Sequence, residues 1–421
     1  MVADIVNLDE SINGHTITIG WLLESLREND KTFQKLHGHR SVKEVTWKDV
    51  SDGKGFASEI LRCILTFVDS VNPTDIYTTV LKVPGFDRIE NELSKQLGDE
   101  KKIKEMMSSL NDIHYFECCF YNKLAPILDV PIPKVFKTLE WIKGKQNGCI
   151  HMEDLTTRGK VISFFEDVNL TQVKALVRHL AHMHKNILSC DSKIWQGKYV
   201  KNREIGANFV DMIKPMIEPF LKNSKREDVF RPIVEKYEKL LVNKDFVKYV
   251  ILESYKEQNI KPVINHGDCH SQNIMFAIDE EGNVQNDIAA FVDWQTVQEG
   301  SPMADLARFL GLCTNGTVRR QAEIFVFDYY LECLTKEFDG DKTKVPYTTE
   351  QLRREYNNYF LSQIVCFFGT IDFMLAAVKE ENQAIRDAYR DYAILKALHA
   401  FEDGQRLLEG EMKDVYEKYG M

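Results

Sequence analysis

The chain has 421 residues, roughly two to three domains at about 150 residues each. Its 44% hydrophobic and 28% charged residues are those of a globular protein, and 22 Gly with 11 Pro exclude collagen-like and low-complexity classes. The formal net charge of -10 argues against a general nucleic-acid binder, which needs a basic face to displace counterions from phosphates.

The N-terminal Met1 to Glu10 is acidic and lacks the basic and apolar regions of a signal peptide. No stretch approaches the roughly 18 to 20 apolar residues that span a bilayer, so no stable membrane insertion is expected. The nine cysteines are scattered, include the adjacent pair Cys118 and Cys119, and form no CxxC pair. They point to reduced thiols and a cytoplasmic setting rather than a disulfide framework or zinc ribbon.

In chain order, Ile19 to Leu26 carries apolar residues at helical spacing, within an N-terminal helical extension over 1–40. Val42 to Trp47, Glu59 to Phe67 and Ile76 to Val83 read as strands, with a turn containing Gly53 and Gly55 between the first two. A charged helix is expected over 86–125, including Asn111 to Leu124, broken by Pro126. Short strands follow at Val135 to Trp141 and Gly148 to Met152.

Beyond about residue 158 the pattern is mainly helical. Helices are predicted at Val173 to Ile187, Phe209 to Leu221 (kinked or broken by Pro215 and Pro219), Arg231 to Leu241, Gln321 to Leu334, Gln351 to Phe368 and Asn382 to Leu408. One β-like interruption runs from Val263 to Trp294. This is an α+β chain: a sheet-rich part at 41–152, a connector at 153–158, and a helical part at 159–421 that holds the interruption.

The chemistry lies in that interruption. Val263-Ile264-Asn265-His266-Gly267-Asp268-Cys269-His270-Ser271-Gln272-Asn273 is a short strand and a polar loop, and a hairpin then leads to Phe291-Val292-Asp293-Trp294-Gln295. Asp268 and Asn273 stand five apart, and Asp293 ends the second hairpin strand. Two carboxylates and a carboxamide gathered by a hairpin form an oxygen-rich site suited to Mg2+. Eukaryotic-type kinases share this layout: a loop Asp for the acceptor hydroxyl, an Asn five positions on for metal, and a strand-end Asp for metal.

His-Gly-Asp-x-His-x-x-Asn and Asp293-Trp294-Gln295 differ from the protein-kinase forms and resemble the small-molecule branch, the aminoglycoside and choline kinases. With Phe120 to Pro126, Met152 to Leu155 and Pro302 to Phe309, the pattern is most similar to the CHK-kinase-like (ecdysteroid kinase-like) family, especially its nematode members. The resemblance extends from about residue 40 to the C-terminal helices. It implies a protein kinase-like bilobal fold and ATP-dependent phosphorylation of a small-molecule hydroxyl, with an ecdysteroid-, choline- or glycoside-like acceptor. The cofactors implied are ATP and Mg2+.

On this resemblance Asp268 serves the acceptor hydroxyl, Asn273 and Asp293 hold metal, and His266 braces the loop. Lys82, at a strand end, is the nucleotide lysine, and Glu117 on the next strong helix is its partner. Gly53 and Gly55 allow a turn whose backbone approaches phosphates. Glu153, Asp154 and Leu155 offer backbone groups to the adenine edge, and Asp305 anchors the loop from behind. No Gly-x-x-x-x-Gly-Lys-Ser/Thr run is present.

Two other classes compete. A nucleotide-binding pseudokinase would keep these residues but act as scaffold or sensor. A zinc hydrolase would use His266 and His270 as a His-x-x-x-His pair, which requires a helix, whereas Gly267 separates them and no Glu follows His266. His179, His182 and His184 diverge on a helix: at about 100° per residue, 184 lies roughly 160° from 182 and 140° from 179. Phe367, Phe368, Phe373 and Met374 read as helical core.

Overall fold

The computed structural model describes residues 4–50, 58–85, 112–142, 144–200, 210–211 and 213–421. By contact the chain forms two compact units, one of Met1–Asn122 with Ile132–Thr157 and one of Lys123–Pro131 with Arg158–Met421. The first carries an antiparallel sheet and the second is mainly helical, so the chain has the α+β, protein kinase-like fold expected from its pattern.

In the first unit, helices α1 (Ile19–Asn29) and α2 (Lys31–His37) precede strands β1 (Val42–Asp49), β2 (Ser58–Phe67) and β3 (Ile76–Pro84). Thr18 caps α1 by accepting from Trp21 N–H, and Asp30 caps α2 by accepting from Thr32 and Phe33 N–H. Residues 112–119 form α3, and strands β4 (Val135–Leu139) and β5 (Cys149–Glu153) complete a sheet of order β1-β2-β3-β5-β4. All its pairings are antiparallel, with Leu61 opposite Leu81 and Lys82 opposite Ile150. Although Ile60 and Ile64 on the other face are apolar too, the buried residues along β2 are Leu61, Cys63, Leu65 and Phe67, every second position. They pack with Leu22, Leu23 and Leu26 of α1 and Phe33 of α2, so the N-terminal helices belong to the sheet's core.

Pro126 does not break the helix that precedes it. Beyond 119 the chain widens into a π-helical turn over Phe120–Leu124, and Pro126 occupies the first turn of the next helix, α4 (Ala125–Leu128). A proline at a first turn lacks only an N–H that has no intrahelical partner there. Asp129, in the left-handed region at φ 52°, stops the helix instead.

The second unit adds β6 (Gly159–Val161), α5 (Leu170–Ser189), α6 (Ile217–Asn223), α7 (Glu227–Leu241), α8 (Lys244–Leu252) and α9 (Ser254–Glu257). A 3-10 turn at Lys214–Met216 precedes α6, as Pro215 led one to expect. Pro219 does not break the chain: it sits in the first turn of α6, where its missing N–H has no intrahelical partner. Strands β7 (Val263–Asn265), β8 (Ile274–Ile278), β9 (Val284–Phe291) and β10 (Gln298–Gly300) follow. They form a β6-β8-β9 sheet and a β10-β7 ribbon. Helices α10 (Ala304–Cys313), α11 (Gly316–Glu337), α12 (Thr349–Ile364), α13 (Phe367–Ala376), α14 (Gln383–Glu409) and α15 (Lys413–Tyr419) end the chain.

The single helix expected over Gln351 to Phe368 is two, because the chain turns between Ile364 and Phe367. Apolar periodicity runs through such a bend without a mark. Phe367 and Phe368 are buried, and Phe368 packs edge-on to Phe220 and beside Phe401 at ring separations of 5.2 and 5.3 Å. Such pairs contribute about 0.5–1.5 kcal/mol each beyond area burial. Phe373 differs and is exposed. Among the described residues no single helix is long and apolar enough to cross a membrane.

Candidate functional site

The loop after β7 is set by one glycine. Gly267 has φ +85°, and a Cβ there would lie 2.2 Å from the Thr296 carbonyl oxygen, so only glycine fits without strain. The same approach lets Thr296 Oγ1 donate to His266 O at 3.1 Å, tying the loop to the segment after Asp293. His266 is buried; its Nε2 donates to Val292 O at 2.9 Å and its Nδ1 accepts from Asp268 N–H at 3.3 Å. Burial lowers its imidazole below the usual value, against the pull of Asp305 and the Val292 carbonyl, and its ring lies 4.5 Å from that of Trp294. A neutral imidazole with both nitrogens engaged is a brace.

Register brings the oxygens together. Ile274 of β8 pairs with Phe291 of β9, and Val292 N–H donates to Asn273 O at 2.9 Å. Asn273 and Asp293 therefore stand at the same end of the hairpin. Asn273 Nδ2 donates to Asp268 O at 3.0 Å, which leaves the amide oxygen as the atom that can meet a cation. Asp293 adopts φ 66°, the left-handed region, where a non-glycine residue is costly. Such strain recurs where a side chain must be aimed, and Gln295 Nε2 donates to Asp293 Oδ2 at 3.4 Å. A carboxylate and a carboxamide oxygen suit a hard divalent cation that keeps water and phosphate in its other positions.

Asp268 is held by a cation. Its Oδ1 accepts from Arg308 Nε at 2.8 Å and from Nη2 at 2.5 Å. Burial would raise the Asp268 carboxyl, but Arg308 and His270 outweigh it and hold the group well below the usual carboxylate range. One turn earlier on α10, Asp305 accepts from His266 N–H at 2.7 Å and Gly267 N–H at 2.9 Å. It sits in the helix's first turn; the N-cap position itself is Met303. At the other end of α10, Cys313 Sγ accepts from Ser271 N–H at 3.1 Å. One helix thus grips the loop at three points. Sequence reasoning assigned Arg308 no role, although its spacing of three from Asp305 after Pro302 places both on one helix face.

In the sheet unit, Lys82 of β3 and Glu117 of α3 are both buried, and Lys82 Nζ donates to both carboxylate oxygens at 2.7 Å. Glu153 is engaged with Lys134: its N–H donates to Lys134 O, and its carboxylate accepts from Lys134 N–H at 2.7 Å. Asp154 accepts from Arg62 Nε at 2.6 Å and from Thr156. The backbone role expected across this segment is therefore narrowed at Glu153, whose N–H already has its acceptor. Leu155 is buried. Gly53 and Gly55 lie outside the described residues.

The histidine readings separate. His270 Nε2 lies 3.5 Å from Asp268 Oδ2, while both nitrogens of His266 face other protein groups. His184 Nδ1 pairs with Tyr330 OH, His182 pairs with Glu337 and Asp129, and His179 packs edge-on to Phe291. Each finds a different neighbour, and His184 lies on the far side of the helix from the other two, as its phase requires.

The family model described as uncharacterised oxidoreductase dhs-27 (DUF1679) matches residues 31–409. Among curated relatives, the Caenorhabditis elegans protein named uncharacterised oxidoreductase dhs-27 is 25% identical over 385 residues, covering 89% of this chain and 44% of that protein. The chain thus spans less than half the length of that relative. The C. elegans uncharacterised kinase-like protein D1044.1 is 23% identical over 357 residues, covering 80% of this chain and 83% of that one. Solved structures with similarity include a putative aminoglycoside phosphotransferase from Ralstonia eutropha, at 14% identity and TM-score 0.43, covering 91% of this chain and 98% of that one. Another is the macrolide 2'-phosphotransferase MphH from Brachybacterium faecium, at 13% identity and TM-score 0.38, covering 87% and 96%. The chain belongs to the DUF1679 family.

Proposed function

We propose that this DUF1679 member is a small-molecule kinase that moves the γ-phosphoryl group of ATP to a hydroxyl of an organic metabolite. The observation that carries the reading is the meeting of Asp268, Asn273 and Asp293 around one hairpin end, on a loop held by His266, Asp305 and Gly267. Asp268 orients the acceptor hydroxyl and takes its proton. Asn273 and Asp293 would hold Mg2+, which would supply positive charge beside the phosphates. Lys82, fixed by Glu117, contacts the α/β-phosphates, and Leu155 lies in the segment offered to the adenine edge. Positioning and electrostatics carry most of the rate, because phosphoryl transfer leaves the protein little covalent work.

D1044.1 is named kinase-like, in keeping with this assignment. The oxidoreductase name belongs to dhs-27, of which this chain matches 44%. At the finer level we place the chain nearest the ecdysteroid kinase-like branch, acting in the cytoplasm on a sterol-, choline- or glycoside-like alcohol. The test is MgATP turnover against an extract of small metabolites, reading products by an added phosphate mass. A phosphorylated product establishes the activity. Mg2+-dependent ATP binding without any product would replace it with a pseudokinase role.

A further inference from the structure

Asp268 does not use its two oxygens alike. Oδ1 takes both donors from Arg308, Nε at 2.8 Å and Nη2 at 2.5 Å. Among the described residues the neighbours of Oδ2 are looser, Asn273 Nδ2 at 3.4 Å and His270 Nε2 at 3.5 Å. An arginine usually meets a carboxylate with one donor on each oxygen. Here both converge on one oxygen, and the other is left under-coordinated.

The guanidinium is fixed from behind. Arg308 Nη1 donates to Gln363 Oε1 at 2.6 Å, near the end of α12. Asp305, on the same face of α10, holds the backbone of the loop that bears Asp268. Backbone and carboxylate are thus positioned by one helix. The pair is not a sealed core salt bridge either, since the Arg308 and Asp268 side chains are 24% and 23% exposed. Its fixed geometry is what remains to be explained.

We infer that Arg308 is a positioning residue for phosphoryl transfer: it anchors Asp268 Oδ1 so that Oδ2 is the oxygen presented to the acceptor hydroxyl. This rests on the kinase reading above. In the step, the hydroxyl oxygen bonds to the γ-phosphorus as the bond to the β–γ bridging oxygen breaks. The hydroxyl proton passes to Oδ2, ADP departs with the bridging oxygen, and Asp268 returns the proton to solvent. Arg308 touches none of the reacting atoms; it acts by holding the plane of the carboxylate.

The experiment measures ADP release from MgATP by the wild type, Arg308→Met, Arg308→Lys and Gln363→Leu, with water, glycerol, glucose and choline as probe acceptors. Arg308→Met should lower kcat about 100-fold, the usual cost of misplacing a reacting group, with KM for MgATP within about twofold. Arg308→Lys should restore part of the loss, because one cationic donor can still reach Oδ1. Gln363→Leu keeps both charges and removes only the outer support; a smaller fall in kcat, about threefold, supports the role even if Arg308→Met does not fold. Unchanged kcat in folded Arg308→Met, or a change confined to KM for MgATP, overturns the positioning role and leaves the kinase reading standing. No ADP above blank from the wild type, with every probe and with the metabolite extract, removes the kinase reading, and this inference with it.

Discussion

Lys82 Nζ sits 2.7 Å from each carboxylate oxygen of Glu117, an ion pair in which both side chains are almost wholly out of water. Charges in such a place are tolerable only together. Lys82→Met should cost about 3–5 kcal/mol by leaving the carboxylate unpaired, and the double replacement Lys82→Met/Glu117→Leu should recover most of it. Both variants should lose MgATP affinity. Urea unfolding with an ATP titration checks the two effects separately. A double variant that regains stability and still binds ATP normally would strip the pair of its nucleotide role.

Asp268→Asn and Asp293→Ala should each reduce phosphoryl transfer by at least about 100-fold, the lower end of what a positioned base contributes. Asp293→Ala should also weaken the Mg2+ dependence of nucleotide binding, while Asp268→Asn should leave it intact. Product mass and ATP titration at several Mg2+ concentrations separate the two. Near-normal product from either variant would remove the mechanism.

Gly267→Ala puts a methyl group 2.2 Å from a backbone oxygen at φ +85°. Neither atom is the end of a flexible side chain, so the loop must move. A loss of about 2 kcal/mol or more is expected, with turnover falling further than stability. Thermal melting and ADP release measured side by side would show it; an unchanged melt would mean that the loop relaxes at little cost.

Glu355 predicts a pH dependence far from phosphate chemistry. It is buried on α12, accepting from Ser254 Oγ at 3.0 Å and Gln258 Nε2 at 2.5 Å, and burial pushes its carboxyl up to about 7 from 4.5. Between those values the folded chain binds more protons than the unfolded one, so this group's contribution falls as pH rises through the window and is flat above it. The full effect is of order 3 kcal/mol. Melting temperatures of wild type and Glu355→Gln, compared from pH 4.5 to 8, should converge at the acid end and separate toward 7. A constant difference would contradict the assignment.

The first three strands and the spacing from Asp268 to Asn273 could be read directly, because a strand's composition and a short loop's reach are local properties of the chain. Gly267 was legible as a loop glycine for the same reason. The widening of the chain at Phe120–Leu124 and the bend after Ile364 were not legible, since periodicity passes through both unaltered. Composition, charge and cysteine usage were likewise decided by the sequence alone.

Only the tertiary structure decided that Arg308 lies on Asp268, with Gln363 behind it. It also supplied the partners of the anchor expected at Asp305, the His266 and Gly267 N–H groups, and set the Glu153 N–H on Lys134. These contacts join residues 19 to 55 positions apart. Over such separations the chain's own period carries no information about which side chains meet. That is settled when α10 and α12 pack against each other and the strands take their register, placing a guanidinium against one oxygen of a particular carboxylate.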